Sequence, residues 1–474
     1  MVFDIKDTIT AISTPSGYGG IGVVRISGPD AKSIAQRIFR KVEIKNRDKE
    51  NRYSEENDVS FFPRKMYYGH IFSQQKKEIL DEALLVYMPA PHSYTTDDVI
   101  EIQAHGGTVT QKAILETVLD CGARLAEPGE FTRRAFLGGR IDLSQAEAVI
   151  DVIQAKTETA LKLATRQREG VVGEAAKRIK ERLLDLYAMM EAEIEFPEEL
   201  EAPSGQTDPY PETVEDLERS IDRVLDGYRK GHLVRDGLRL IVVGRVNVGK
   251  SSLMNRLLEK ERAIVTEYPG TTRDSIEETL DVFGLPVVLI DTAGWRKTKD
   301  PVERLGIERT QQLIERADLI LFMVDAGQGI VAEDHDLYER IEKKDKILVV
   351  NKTDLLKGTK SISIPDHWKF FEVRYTAVKF ERGIDALKEA LFRFGIEDGS
   401  GIETAIVPNI RQKRLFEKAQ SAIGAARRSL QEDQKMELAV MDLKEAMGAL
   451  DQITGASIKT DVLDSIFSRF CIGK

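Results

Sequence analysis

Cysteine is almost missing from this chain. Two thiols, Cys121 and Cys471, among 474 residues leave no disulfide framework, which fits a reducing compartment, so a cytoplasmic protein is expected. Long apolar runs are missing as well: none approaches the ~18 residues that cross a bilayer, and no membrane association is expected. The opening "MVFDIKDTITAIS" has neither a basic n-region nor an apolar core, so no signal peptide is expected there. Excess positive charge is lacking too, and a net charge of −10 excludes a general nucleic-acid binder. Two local basic stretches survive that exclusion, "FTRRAFLGGR" (Phe131–Arg140) and "IRQKRLFEKAQ" (Ile410–Gln420). Each reads either as an RNA-docking patch or as a solvated helix face.

What is present describes a globular protein of several domains, 42% hydrophobic and 31% charged. Residues 1–120 mix short β-type runs ("IGVVRIS", "EALLVYMPA", "DVIEIQAHGG") with helical stretches, which predicts an α+β domain. Residues 121–232 form the first segment of a helical domain. From Leu143 to Phe196 the chain is proline-free with apolar residues at three-to-four spacing, which predicts long helix. A breaker-rich loop, "PEELEAPSGQTDPYPE" (Pro197–Glu212), is followed by another helical run ending near Gly231. Residues 233–398 alternate strand and helix ("LRLIVVG", "VVLIDTAG", "LILFMVDA", "KILVVNKTD"), which predicts a doubly wound parallel sheet. Residues 399–474 return to helix. The expected fold class is therefore α/β plus α, with the α/β domain inserted into a helical domain made of two segments.

The inserted domain carries a nucleotide site. "GRVNVGKSS" fits G-x-x-x-x-G-K-S at Gly244, Gly249, Lys250 and Ser251, after an apolar strand and at the start of a helix. Glycines let backbone N–H groups face phosphate, and the helix N-terminus adds positive potential. In that loop Asn247, Val248, Gly249, Lys250, Ser251 and Ser252 are the expected phosphate contacts. Lys250 is expected at the β/γ oxygens and Ser251 on Mg²⁺. "PGTTRD" supplies Thr272 as a second Mg²⁺ ligand, and "DTAG" supplies Asp291, Thr292, Ala293 and Gly294 at the end of a strand. "NKTD" provides Asn351, Lys352 and Asp354, whose carboxylate can accept from guanine N1–H and N2–H₂. "YTAVK" provides a last base loop at Thr376 and Ala377. These elements, in this order, predict a GTP-binding domain.

Two features stand apart. "GYGGIG" (Gly17–Gly22) satisfies G-x-G-x-x-G, but "VVRIS" after it reads as a strand, so a glycine-rich turn is expected and a dinucleotide site is not. After "DTAG" comes Trp295, where Ras-type GTPases place a water-orienting glutamine. An indole donates one hydrogen bond and accepts none. Either the protein hydrolyses GTP poorly, or something else does the glutamine's work.

A P-loop GTPase inserted in helix, an N-terminal "GGIGVVRISG", "PGEFTRRAFLGGRIDLSQAEA" and a C-terminal "FCIGK" together resemble the MnmE (TrmE) family of tRNA-modification GTPases, over essentially the whole length. The resemblance implies a homodimer that joins an MnmG-type FAD-dependent partner in a heterotetramer and acts on tRNA. The implied reaction adds a carboxymethylaminomethyl or aminomethyl group at C5 of the wobble uridine, with a folate as one-carbon donor. It also implies K⁺ in place of an arginine finger, held by Asn247 and by oxygens around Thr266, Tyr268 and Thr271, with Thr266 and Thr271 counted among the nucleotide-site residues. Glu303 is the implied catalytic residue, orienting water; from the residues alone it reads first as a helix N-terminal carboxylate, and only the resemblance gives it the catalytic role. The N-terminal domain is implied to bind a tetrahydrofolate derivative (5-formyl- or 5,10-methylene-) through Arg25, Glu101, Arg140 and Lys474. Cys471 reads as either a nucleophile or a packed thiol. The alternative function is a GTP-regulated RNA or ribosome-assembly switch, a binding module that would not need an N-terminal domain joined to "FCIGK".

Overall fold

The computed structural model describes residues 7–15, 17–43, 52–53, 60–196, 210–261, 278–290, 312–356, 362–396, 405–431 and 436–474. The chain divides into two compact units: Met1–Ile150 with Asp451–Lys474, and Asp151–Leu450.

The first unit is built on strands that alternate between a core face and an outer face. These are β1 (Ile9–Ile12), β2 (Gly19–Ser27), β3 (Phe39–Glu43), β4 (Arg52–Tyr53), β5 (Met66–Ser73), β6 (Glu78–Met88), β7 (Val99–Gly106) and β8 (Arg124–Leu125). They form one sheet in the order β4-β3-β5-β6-β7-β2-β1-β8. Val24 and Ile26 of β2 and Ile100 and Ile102 of β7 point into a core closed by Ile34 and Ile38 of α1 (Ala31–Ile38) and Ile114 and Val118 of α2 (Thr108–Asp120). The period of two in the strands and of three to four in the helices supplies these faces. Residues 19–22 of the glycine-rich stretch lie within β2, antiparallel to β7, so these residues are strand rather than the expected turn, and not the start of a dinucleotide-binding helix. Helices α3 (Glu130–Leu137) and α4 (Leu143–Gln154) follow. The C-terminal residues return to this unit: Leu463, Ile466, Phe467 and Phe470 pack on Leu143 and Ala146.

In the second unit the expected long helix is three helices. After α4 come α5 (Glu158–Arg168) and α6 (Val171–Glu195). Thr157 caps α5 by accepting from Ala160 N at 3.2 Å, and Gly170 takes φ 98 between α5 and α6. A threonine cap and a left-handed glycine each redirect the backbone without disturbing the apolar periodicity, which is why that periodicity alone reads as continuous helix. The next helix, α7 (Tyr210–Asp236), passes through Gly231 rather than ending there. It leads through Gly237, φ 85, straight into β9 (Leu238–Gly244).

Five further strands complete a six-stranded sheet: β10 (Glu278–Val282), β11 (Leu285–Leu289), β12 (Leu319–Asp325), β13 (Lys346–Asn351) and β14 (Glu372–Tyr375), in the order β10-β11-β9-β12-β13-β14. The sheet is parallel except at its β10 edge, where the expectation of parallel strands fails. Phe283 and Gly284, at φ 54 and 89, make a two-residue turn between β10 and β11. Such a turn can join only antiparallel neighbours; a parallel pair needs a long crossover. The middles of the central strands, residues 240–243, 319–324 and 347–350, are apolar because both faces are covered. Leu240, Val242 and Leu321 face Leu253 and Leu257 of α8 (Lys250–Glu261) and Leu387 and Leu391 of α10 (Ile384–Gly395). Ile241, Val243 and Phe322 face Tyr338 and Ile341 of α9 (Ala332–Ile341).

The first of these faces also takes Leu163 of α5, Val234 of α7 and Val407. Sheet domain and helices therefore share one core. The returning chain enters α11 (Ile410–Gln431) through reciprocal bonds, Gln412 N to Asn409 Oδ1 and Asn409 N to Gln412 Oε1, both 2.8 Å. It passes so close to α7 that a Cβ on Gly227 would lie under 3.0 Å from the Ile406 carbonyl oxygen. The last helices are α12 (Met436–Thr454) and α13 (Thr460–Phe467). No described helix is long and apolar enough to cross a membrane.

Candidate functional site

The phosphate loop lies between β9 and α8. Asn247 takes φ 66 and Gly249 φ 107, so the chain turns back on itself before the helix starts at Lys250. Asparagine tolerates that region better than most side chains, and glycine is free there. A Cβ on Gly249 would lie under 3.0 Å from Asn351 Nδ2, so the loop and the end of β13 are in intimate contact. Lys250 Nζ donates to the carbonyls of Gly244 at 2.7 Å and Arg245 at 2.6 Å. Burial pushes its ammonium below the ordinary lysine value. Val248 is buried, whereas Ser251 and Ser252 are exposed at the first turn of α8, beside helix N–H groups suited to an anion.

The base loops are tied to this loop by one side chain. Asn351 Nδ2 donates to Val248 O at 2.8 Å, and its Oδ1 accepts from Thr376 Oγ1 at 3.1 Å and Val378 N at 3.2 Å. One amide N–H of Asn351 is left for a base. Thr376 and Ala377 are buried against it. After Ala377 the chain makes a 3₁₀ turn, Val378–Phe380, with Glu381 at φ 57 and a bridge from Ala377 to Arg382. Asp354 is exposed in the turn Thr353–Leu355, with its carboxylate open to a ligand. Lys352, at φ 60, places its Nζ 2.7 Å from Asp325 Oδ2. Burial alone would raise the Asp325 pKa, but Lys352 and the N–H groups of Gly327 and Gln328 hold it below the usual carboxylate range. The structure thus brings together Asn247, Val248, Gly249, Lys250, Asn351, Thr376 and Ala377. Thr266, Tyr268, Thr271, Thr272, Asp291, Thr292, Ala293, Gly294, Trp295 and Glu303 lie outside the described residues.

A second cluster forms on the sheet of the first unit. Arg25 of β2 and Glu101 of β7 are register partners, and Arg25 Nε and Nη2 bond Glu101 Oε1 at 2.9 and 2.8 Å. The guanidinium of Arg25 lies over Tyr94, 5.7 Å from the ring centre, and over Phe131 at 5.5 Å. Arg140 covers the same tyrosine at 5.0 Å and donates to its carbonyl at 2.8 Å. The C-terminal strap is tied down here: Ser13 Oγ donates to Gly473 O at 3.0 Å, Arg25 Nη1 to the same oxygen at 3.4 Å, and Phe131 N to Lys474 O at 3.2 Å. So Arg25, Glu101 and Arg140 converge with the backbone of Lys474. Tyr94, Phe131 and Gly473 belong to the cluster and were not anticipated; Tyr94 lies in a loop, which gives no periodic signal, and Phe131 sits buried in α3. Cys471 is exposed, and its carbonyl accepts from Gly129 N at 3.5 Å.

The basic stretch Phe131–Arg140 is neither a docking patch nor a solvated face at its centre. Arg134 is 4% exposed and bonds Asp7 and Glu130, Arg124 joins the same two carboxylates, and Arg133 pairs with Asp464 at 2.8 Å. Arg134 can be buried because the carboxylates of Asp7 and Glu130 neutralise it. In Ile410–Gln420 the helix cap Gln412 and the core residue Phe416 are buried, and Lys413 pairs with Glu417 at 2.8 Å.

Comparison with known proteins matches this architecture. A family model described as the GTP-binding protein TrmE N-terminus covers residues 8–140, and one described as the MnmE helical domain covers residues 143–471. The tRNA modification GTPase MnmE of Carboxydothermus hydrogenoformans is 42% identical over 476 residues, 99% of this chain and 100% of the relative. That of Caldicellulosiruptor saccharolyticus is 43% identical over 482 residues, 99% of each. Among solved structures, the G domain of the T. maritima FeoB iron transporter is 26% identical, covering 33% of this chain and 98% of its own, with a TM-score of 0.25.

Proposed function

As the chain belongs to the MnmE (TrmE) family of tRNA modification GTPases, we propose that its GTP hydrolysis is potassium-dependent and drives modification of the wobble uridine of certain tRNAs at C5. The group added is carboxymethylaminomethyl or aminomethyl, and the work is shared with an MnmG-type FAD-dependent partner in a heterotetramer built on a homodimer in the cytoplasm. The proposed domain plan is an N-terminal domain at 1–120, helical segments at 121–232 and 399–474, and the GTPase at 233–398.

The donor set fits the implied groups. Around the phosphate loop, the helix N-terminus, the glycine cradle and Lys250 suit polyphosphate. Ser251, with Thr272, would hold Mg²⁺; Asn247, with Thr266, Tyr268 and Thr271, would hold K⁺. Both ions supply positive charge at the β/γ oxygens. Lys250 binds those oxygens, Asp354 accepts from guanine, and Glu303 orients water in place of the glutamine that Trp295 cannot imitate. In the N-terminal cluster both Arg25 bonds fall on Oε1 of Glu101, leaving Oε2 to accept from the N–H groups of a pterin. Arg140 and Lys474 suit the acidic tail of a tetrahydrofolate derivative, 5-formyl or 5,10-methylene.

The observation that carries the reading is the return of the C-terminal strap to Arg25, beside Glu101 and Arg140, an elaboration a bare GTP switch has no use for. In a deletion strain, nucleoside analysis should find the modified wobble uridine lost, and this gene should restore it. Purified protein should bind a reduced folate and hydrolyse GTP faster in K⁺ than in Na⁺ at equal ionic strength. Intact wobble uridine in the deletion strain would instead favour an assembly switch.

A further inference from the structure

The turn between β12 and α9 contains none of the nucleotide motifs, yet it holds two of them. Arg245, the first residue after Gly244 in the phosphate loop, sends its side chain away from the loop into this turn. Its Nε donates to Asp334 Oδ1 at 2.8 Å, Nη1 to Gln328 Oε1 at 3.1 Å, and Nη2 to Gly329 O at 3.3 Å. Arg245 is 10% exposed and Asp334 0%, so the pair is out of solvent. Asp334 also ties down the start of α9, where its Oδ2 accepts from Val331 N at 3.1 Å. The turn is closed by Gly327 N to Asp325 Oδ1 at 2.8 Å and Gly329 N to Asp325 O at 3.0 Å. The other oxygen of Asp325 accepts from Lys352 in the base loop at 2.7 Å.

The consequence concerns Lys250. Its ammonium rests on the carbonyl of Arg245, so the backbone position of Arg245 sets where that charge stands. A loop holding two residues at positive φ, Asn247 and Gly249, does not keep its shape through local propensity. We propose that the buried Arg245–Asp334 pair positions the phosphate loop, fixing the Lys250 ammonium and the loop N–H groups for the nucleotide's phosphates, while Asp325 holds Lys352 from the same turn. Arg245 and Asp334 are positioning residues: they act on phosphate binding through Lys250. The inference rests on the GTPase reading.

The test uses full-length protein with GDP, GTP and ITP as probes. Arg245→Lys keeps the charge beside Asp334 but loses the fork to Gln328 and Gly329. GDP and GTP should each bind several-fold to tenfold more weakly, with thermal unfolding unchanged. The preference for GTP over ITP should stay at the wild-type value, because the base loop keeps its own anchor. In Arg245→Gln combined with Asp334→Asn, no charge is left buried alone, so folding is preserved while phosphate affinity is not. The KM for GTP should rise more than kcat falls. Wild-type GDP affinity in either folded variant would overturn the proposal, and so would a loss of GTP-over-ITP preference matching the loss of affinity. Wild-type protein that failed to bind GTP would sink the GTPase reading instead, so the two failures are distinguishable.

Discussion

Single side chains decide what this protein reads and at what pH it holds together. On the proposed assignment, Asp354 accepts two N–H groups of guanine. Asp354→Asn leaves one acceptor and turns a donor toward a donor. A hydrogen bond to a charged group is worth about 1.5–3 kcal/mol. GTP should therefore bind at least about tenfold more weakly, and the preference should move toward xanthosine triphosphate. Competition binding reads this, and an unchanged preference would put base recognition elsewhere. A different residue governs acid stability. Burial would raise Glu130 and Asp7, but hydrogen bonds from Arg124 and Arg134 outweigh it and hold both carboxyls below their ordinary range. A carboxyl held lower in the folded state contributes stability in full above its unfolded value of about 4. That contribution is lost as pH falls through the folded value. Glu130→Gln removes one buried carboxylate while Asp7 still pairs with both arginines, so it should cost about 1–3 kcal/mol near neutrality. The gap from wild type should narrow below about pH 4, and denaturant titrations across that range would check it. A constant gap would mean that Glu130 matters by packing and not by charge.

Elements were legible where their signal is local. The phosphate loop works through neighbouring backbone groups and "NKTD" through side chains three residues apart or fewer, so their spacing in the chain is their geometry in space. The middles of strands β9, β12 and β13 are buried on both faces and read as apolar runs. What escaped depends on distant partners. Arg245 and Asp334 meet across two strands of the sheet, and Arg25 meets Glu101 only through the β2–β7 register. The breaks at Thr157 and Gly170 leave the apolar period intact, so they show only as caps in the folded chain. Close backbone approach is equally silent in sequence. Gly227 and Gly231 look like weak points in α7, yet they are where the chain around Ile406 and Val407 lies against it. Gly227→Ala would improve helix propensity by about 0.8–1 kcal/mol. The added methyl meets a carbonyl oxygen that cannot rotate away, and overpacking of this kind costs about 1–3 kcal/mol. The net prediction is a lower melting temperature despite a better helix former. A rise in Tm would show that the returning segment can move aside.

At the scale of the whole molecule, the question is how a nucleotide event reaches the helices. The GTPase domain is joined covalently at Gly237 and through the segment before Asn409, and it also touches helix through the β10–β11 turn. Thr157, the cap of α5, donates its hydroxyl to Gly284 O at 2.9 Å. A Cβ on Gly284 would lie under 3.0 Å from Thr159 Oγ1, so the seat is tight. The turn is covalently close to both switch motifs: β10 starts shortly after "PGTTRD", and β11 ends just before Asp291. On the proposed function, a change in either segment would act through a hairpin that already rests on α5, a route from nucleotide state to rigid-body motion. Thr157→Val removes the bond to Gly284 together with an N-cap worth about 1 kcal/mol. It should leave GTP hydrolysis near wild type while lowering the yield of modified wobble uridine. Glu303→Ala separates the cycle from the contact. On the proposed role, the loss falls on the water-orienting group and spares phosphate and base contacts, so the variant should fold and bind GTP at wild-type affinity. Hydrolysis should fall by at least about a hundredfold, within the span of general acid–base effects. With no hydrolysis there is no return stroke through the hairpin, and a deletion strain carrying Glu303→Ala should contain little modified uridine. Wild-type levels of the modification in that strain would show that GTP occupancy alone sets the helices, and the protein would then be a switch rather than a hydrolysis-driven machine.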